Sequence, residues 1–195
     1  METSVFLTSV DAAVALTAAL AVAGILIATA IPKLQAPAYF EGIVVDYQIL
    51  PAGLSRVLAR ALPWVELCAA LALMPTATRS YAAALLAVLV SAFGAAVTIN
   101  LLRGRTRLDC GCGLSGANGT NGTSDGKSYL SWPLLGRNVF LLLLLALAAS
   151  PDAGRALLLQ DALTVGFGGA ALIGLYVAAD VLLANLPRVN NYRNL

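Results

Sequence analysis

The chain has 195 residues, of which 59% are hydrophobic and 11% charged, with a net charge of +2 and no histidine. A water-soluble domain carries about 25% charged residues, so this chain cannot dress a water-facing surface, and the bilayer is its natural solvent. The missing histidine removes histidine bases, histidine-ligated haem and mixed zinc sites, the small net charge gives no footprint for nucleic acid, and three cysteines are too few for a disulfide-stapled secreted scaffold.

Crossing a bilayer as a helix takes about 20 apolar residues. Residues 12–32, uncharged between Asp11 and Lys33, form the first expected span. A secretory signal begins with a basic region, whereas Glu2 and Asp11 are the only charges here, so the segment reads as a retained helix. Residues 34–53 are punctuated by Pro37, Pro51 and Gly53 and broken by Glu41 and Asp46, the pattern of a connecting segment with a short amphipathic helix at the interface. The second expected span, 56–74, is the least regular, with Arg56, Arg60, Pro63 and Glu66 inside it. The third is 80–102.

A polar loop follows over 103–129, with a tail rich in Gly, Asn, Ser and Thr. The fourth span, 130–150, carries Arg137 in its first half. A turn follows from Asp152 to Asp161, and then a fifth span over 162–186 with Asp180 near its end. Period-two alternation, the mark of a membrane barrel, is absent. The expected fold is therefore all-α: a single integral membrane domain over 1–195, a bundle of about five transmembrane helices with four as the alternative.

Five spans put the termini on opposite sides. Lys33, Arg56, Arg60, Arg103, Arg105, Arg107, Lys127, Arg137, Arg188 and Arg193 then fall on one side, against Arg79 and Arg155 on the other. The positive-inside rule makes the first side cytoplasmic and places the loop there.

The loop opens with Arg103, Arg105 and Arg107, then Asp109 and Cys110-Gly111-Cys112. Thiolate is the reactive form of cysteine, and nearby cations favour it. A disulfide between residues i and i+2 closes a small ring, so the backbone must bend to reach sulfur geometry. Gly111 and Gly113 supply the freedom to bend, and a strained, exposed disulfide suits exchange rather than stapling. Two other readings stay open: a soft pair able to hold Cu(I), or two small residues in a glycine-rich loop.

Cys68, in the second span, is either a small buried hydrophobe or a further exchange station. Glu66, two residues before it, is a candidate site residue because a carboxylate inside a span is costly. Protonation would make it a proton carrier; pairing with Arg60, Arg103 or Arg137 would tie helices together. Asp180 has the same two readings and, near a helix end, reach to the interface. Trp64 and Trp132 lie near span ends, as aromatic belts do.

The segments KLQAPAYFEGIVVDYQILP, LPWVELCAALAL, NLLRGRTRLDCGCG and SWPLLGRNVFLLLLLAL, in this order, resemble the MauE family of methylamine utilisation membrane proteins, distantly similar to DoxX-type proteins. The resemblance runs over roughly 20 to 185. It implies a multi-pass protein of the bacterial inner membrane that assists processing, transport or maturation of the small (β) subunit of methylamine dehydrogenase, beside a thioredoxin-like periplasmic partner. In that setting Cys110 and Cys112 are the expected redox pair, Glu66 has a proton or structural role, no metal is assigned, and a quinone is admitted as a further electron carrier. The rival classes are a non-catalytic membrane chaperone or anchor, and a transporter of a small solute or metal.

Overall fold

The structure, a computed structural model, describes residues 10–106, 108–109, 111, 130–151 and 158–193, with 183–193 described by backbone alone. Among the described residues there are six helices and no strand: α1 (Ala12–Gln35), α2 (Pro37–Asp46), α3 (Ala52–Ala72), α4 (Thr76–Leu102), α5 (Trp132–Ala149) and α6 (Leu159–Arg193). Lipid offers no partners to backbone polar groups, so the helices satisfy them internally.

Asp11 starts α1 by accepting the Ala13 N–H at 2.8 Å, a side-chain N-cap. The helix is then alanine-rich and buried on nearly every side, with Ala15, Ala19, Ala21 and Val22 fully enclosed. It is the hub of the bundle and packs on α3, α5 and α6. Small residues let the backbones approach closely. A Cβ at Gly24 would lie 2.6 Å from Ile173 Cδ1, and one at Gly169 would lie 2.9 Å from Leu20 Cδ2.

Those contacts also fix polarity. Thr17 meets Gly168, Leu20 meets Gly169 and Gly24 meets Ile173, so α1 and α6 run parallel. Helices α4 and α5 are antiparallel: Gly94 faces Asn138, while Val97 and Leu101 share an apolar cluster with Leu130, just before α5 begins. Arg137, early in α5, meets Asp180, late in the part of α6 whose side chains are described. Helices α1, α4 and α6 therefore point the same way, and between Gln35 and Thr76 the chain has to travel back along the bundle.

That return is α3. Four helices have the length and hydropathy to cross a membrane: α1, α4, α5 and residues Leu159–Leu182 of α6. The charges on α3 keep it out of that set. At 21 residues it is nonetheless about 30 Å long, and the polarity of its neighbours requires its pass. Five passes at close to the expected positions result, with the amphipathic α2 where the connecting segment was expected.

Several boundaries differ from expectation by a few residues, α6 running on to Arg193, and two of the helix starts do so for one reason. Helix α4 begins at Thr76 because Arg79 turns inward and donates through Nε to the Leu73 carbonyl at 3.2 Å, closing the end of α3. Helix α6 begins at Leu159 because Asp161 accepts the Leu158 N–H at 2.8 Å in its first turn, where a carboxylate complements the helix dipole. Both charges were expected in loops and instead finish helix ends.

Candidate functional site

The inner face of α3 is a stripe of Ser55, Ala59, Pro63, Glu66, Ala69 and Ala70, at the three- and four-residue spacing of one helix face. Glu66, 6% exposed, therefore points into the bundle. Its partner is Lys33, whose Nζ lies 2.6 Å from Oε2, and not one of the expected arginines. Lys33 stands in the last turn of α1, where a cation suits the helix dipole. Its ammonium also lies 5.5 Å from the centroids of both Phe40 and Phe93, within cation–π range.

Arg137 pairs with Asp180, their side chains 4% and 3% exposed, and its guanidinium lies 5.4 Å from the Tyr176 ring centroid. Asp180 thus sits inside the bundle in an ion pair, one of its two expected readings, and does not use the reach to the interface that its place near a helix end offered. Extending the register of α1 on α6 carries Asp180 to the level of Ile31, within a turn of Lys33. The α4 side agrees: Phe93 covers Lys33, and the adjoining Gly94 faces Asn138, next to Arg137. Two neutral ion pairs therefore occupy one layer of an otherwise apolar bundle. Lys33 is the site residue that sequence reasoning missed. It borders the expected span 12–32 from outside, and nothing local to it in the sequence pairs it with Glu66.

The amphipathic α2 lies against the same layer. Phe40, 3% exposed, reaches Lys33, and Ile43 and Tyr47 cluster with Val97, Leu101 and Leu130. Glu41 ties α2 to α3 through Arg56 at 3.4 Å and Arg60 at 3.1 Å. These two pairs are largely exposed on the arginine side and contribute little each.

Cys110 and Cys112 lie outside the described residues; the backbone between them does not. Gly111 has φ +61°, the left-handed region that favours glycine. Its N–H donates to Asp109 Oδ1 at 3.1 Å, and Asp109 Oδ2 accepts from the Tyr39 hydroxyl of α2 at 2.6 Å. A Cβ at Gly111 would lie 3.1 Å from Ile43 and 3.4 Å from Phe40 Cε2. The centre of the Cys-Gly-Cys turn is thus seated on α2, and one ring, Phe40, touches both the turn and the buried Lys33.

Of the arginines before the turn, Arg103 donates to the Gln48 carbonyl at 3.3 Å and Arg105 to Asn100 Oδ1 at 3.5 Å, which fastens the loop entry to the bundle. Cys68 does not join this assembly. It is exposed on the outer face of α3, in an apolar groove of about 540 Å³ with Trp64, Val65, Tyr81 and Leu85. Two residues from Glu66, it points the other way.

Apolar helices in one bundle, charges paired within it and a polar thiol turn at one end define a polytopic α-helical membrane protein. The family model described as methylamine utilisation protein MauE matches residues 11–151, and the chain belongs to that family, which serves methylamine utilisation. The methylamine utilization protein MauE of Methylorubrum extorquens is 39% identical over 169 residues, 83% of this chain and 82% of that protein. Its Paracoccus denitrificans namesake is 37% identical over 157 residues, 80% of each chain. The Methylophilus methylotrophus protein of the same name is 45% identical over 102 residues, 52% of this chain and 54% of that protein, so this match spans about half of each. No solved structure matches the chain. The matched range includes Lys33, Glu66, Arg137 and the thiol turn; Asp180 lies beyond it.

Proposed function

We propose that the protein is a thiol–disulfide relay of the bacterial inner membrane that assists maturation of the methylamine dehydrogenase small (β) subunit with a thioredoxin-like partner. Cys110 and Cys112 are the exchanging pair. The observation that carries this reading is the left-handed Gly111 seated on α2, a backbone already bent between two cysteines that must bend to join. In each exchange one thiolate attacks a disulfide presented on its own side of the membrane, and the other cysteine resolves the mixed disulfide. The presenting protein leaves as a dithiol while the turn holds the disulfide, and a two-electron donor, a second dithiol or a quinol, reduces the turn again. Two electrons and two protons move each time.

Alkylation tests the pair directly. The purified chain, with three cysteines, is expected to take one mass-tagged maleimide before reduction, at Cys68, and three afterwards. Three adducts before reduction under every oxidising buffer tried would end the relay reading.

The turn shares its end of the bundle with Arg56, Arg60, Arg103 and Arg105, and the positive-inside rule assigns that end to the cytoplasm. The turn is then the cytoplasmic port of a relay across the membrane, and a membrane quinone is the class of carrier that would take the electron pair between the turn and the periplasmic partner at the other end. Gly53, exposed and open at the start of α3, reports the side. A Gly53→Cys substitution in a chain with its own cysteines replaced by serine is expected to resist membrane-impermeant maleimide in intact cells and to react in inverted vesicles. Labelling in intact cells would put the turn outside, directly against the periplasmic partner.

A further inference from the structure

We propose that the outer face of α3 holds a phospholipid with an anionic headgroup, drawn from the cytoplasmic leaflet. Arg56 and Arg60 stand one turn apart on the face of α3 that turns away from the bundle, their side chains 60% and 72% exposed. Glu41 of the amphipathic α2 reaches both and fixes them at the level of the interface. Two guanidiniums share one carboxylate, so the cluster keeps a surplus positive charge, and no second anion pairs with either arginine among the described residues. A guanidinium is a planar fork of five N–H donors that matches phosphate oxygens. A zwitterionic headgroup brings a cation along with its phosphate, whereas an anionic one brings the phosphate and cancels the surplus charge.

The apolar surface behind the arginines fits the rest of such a molecule. Arg56 and Arg60 line a groove of about 670 Å³ with Gly53, Val57 and Ala61. Trp64, Val65, Cys68 and Ala72 continue the same face into the apolar groove of about 540 Å³ between α3 and α4, whose lining carries no charge. From Ala61 to Ala72 this track is about 16 Å long at 1.5 Å per residue, close to one leaflet's share of a hydrocarbon core about 30 Å thick. Cations at one end and a leaflet's depth of apolar groove behind them match a headgroup and its acyl chain. A free phosphate would leave the track unused, and a second apolar helix would bury the arginines without an anion. The positive-inside rule assigns the arginine end to the cytoplasm, where the negative surface potential of the leaflet attracts basic residues. The inference needs the membrane setting of the bundle and not the relay.

The protein carries its own reporter. Of its two tryptophans, Trp64 lies on the track one turn beyond Arg60 and is 60% exposed. The test uses the full-length chain with Trp132→Phe in phosphatidylcholine vesicles, with bromine, a fluorescence quencher, on the acyl chains of added phosphatidylglycerol or of the phosphatidylcholine itself. Brominated phosphatidylglycerol is expected to occupy the face of Trp64 about fivefold more readily than brominated phosphatidylcholine, the effect of one cation beside an anionic lipid. Arg56→Gln with Arg60→Gln is expected to abolish that preference while quenching by brominated phosphatidylcholine stays as it was, which shows the face still folded and open. Glu41→Gln, which leaves both cations without their carboxylate, is expected to raise the preference. Inorganic phosphate at matched ionic strength is expected to leave it unchanged. No preference in the parent chain, a preference that the double arginine variant keeps, or one that Glu41→Gln lowers would each overturn the proposal. Displacement by inorganic phosphate would replace the lipid with a free anion, and a Trp64 that no brominated lipid quenches would mean that protein covers the face; either result overturns it too.

Discussion

Arg137→Met alone is expected to remove most of the protein from the membrane, and Arg137→Met with Asp180→Leu to bring it back. The single change leaves the Asp180 carboxylate, 3% exposed, without its guanidinium. Stranding one member of a buried pair costs about 3–5 kcal/mol, whereas replacing both by apolar residues of similar volume is often neutral. Folded proteins are stable by only about 5–15 kcal/mol, so the single variant sits at the edge of folding. Immunoblots of the membrane fraction and melting in detergent measure both. A single variant as abundant and as heat-resistant as the wild type would show that the pair contributes nothing to the fold.

Replacing Cys110 and Cys112 together by serine is expected to abolish growth on methylamine while the protein stays in the membrane at its normal level. Serine keeps the size of cysteine and removes the exchange chemistry, and Asp109, Gly111, Tyr39, Phe40 and Ile43 make the contacts described at the seat of the turn. The β subunit is expected to be lost with growth, which its immunoblot follows. Full growth without either thiol would favour the chaperone or anchor reading. Disappearance of the membrane protein itself would make the cysteines structural.

Much of the architecture was legible because hydropathy is a local property. Uncharged runs over 12–32 and 80–102 could only be spans, and the proline and acid punctuation of 34–53 could only be a connection. Even α3, with its arginines and its glutamate, was legible as an irregular span over 56–74, though not which of its faces turns inward. The partner of Glu66 was another matter. Arg60, a turn and a half away on the same helix, looked the nearer choice, but it faces outward to Glu41. Only the packing of α1 on α3 brings in Lys33, a residue that local reasoning takes for the end of a span. The orientation of Cys68 was hidden for the same reason: which face of α3 is inner depends on its neighbours. The turn was legible as chemistry but not as a place, since nothing local to Cys-Gly-Cys tells of Phe40 and Ile43, some seventy residues earlier.

The parallel contact of α1 with α6 has a consequence for biogenesis. The ribosome delivers the first wall of the bundle long before the last. Lys33 waits 33 residues for Glu66 and Arg137 waits 43 for Asp180. At about 5–20 residues per second, each charge spends a few seconds in or beside the insertion machinery without its counter-ion. A nascent chain stopped after α5 holds one ion pair complete and one arginine orphaned, with Gly24 of α1 still uncovered by Ile173. Quality control therefore has a clear mark to read. The unfinished molecule differs from the finished one by an exposed positive charge at membrane depth, and arrival of the final helix erases it.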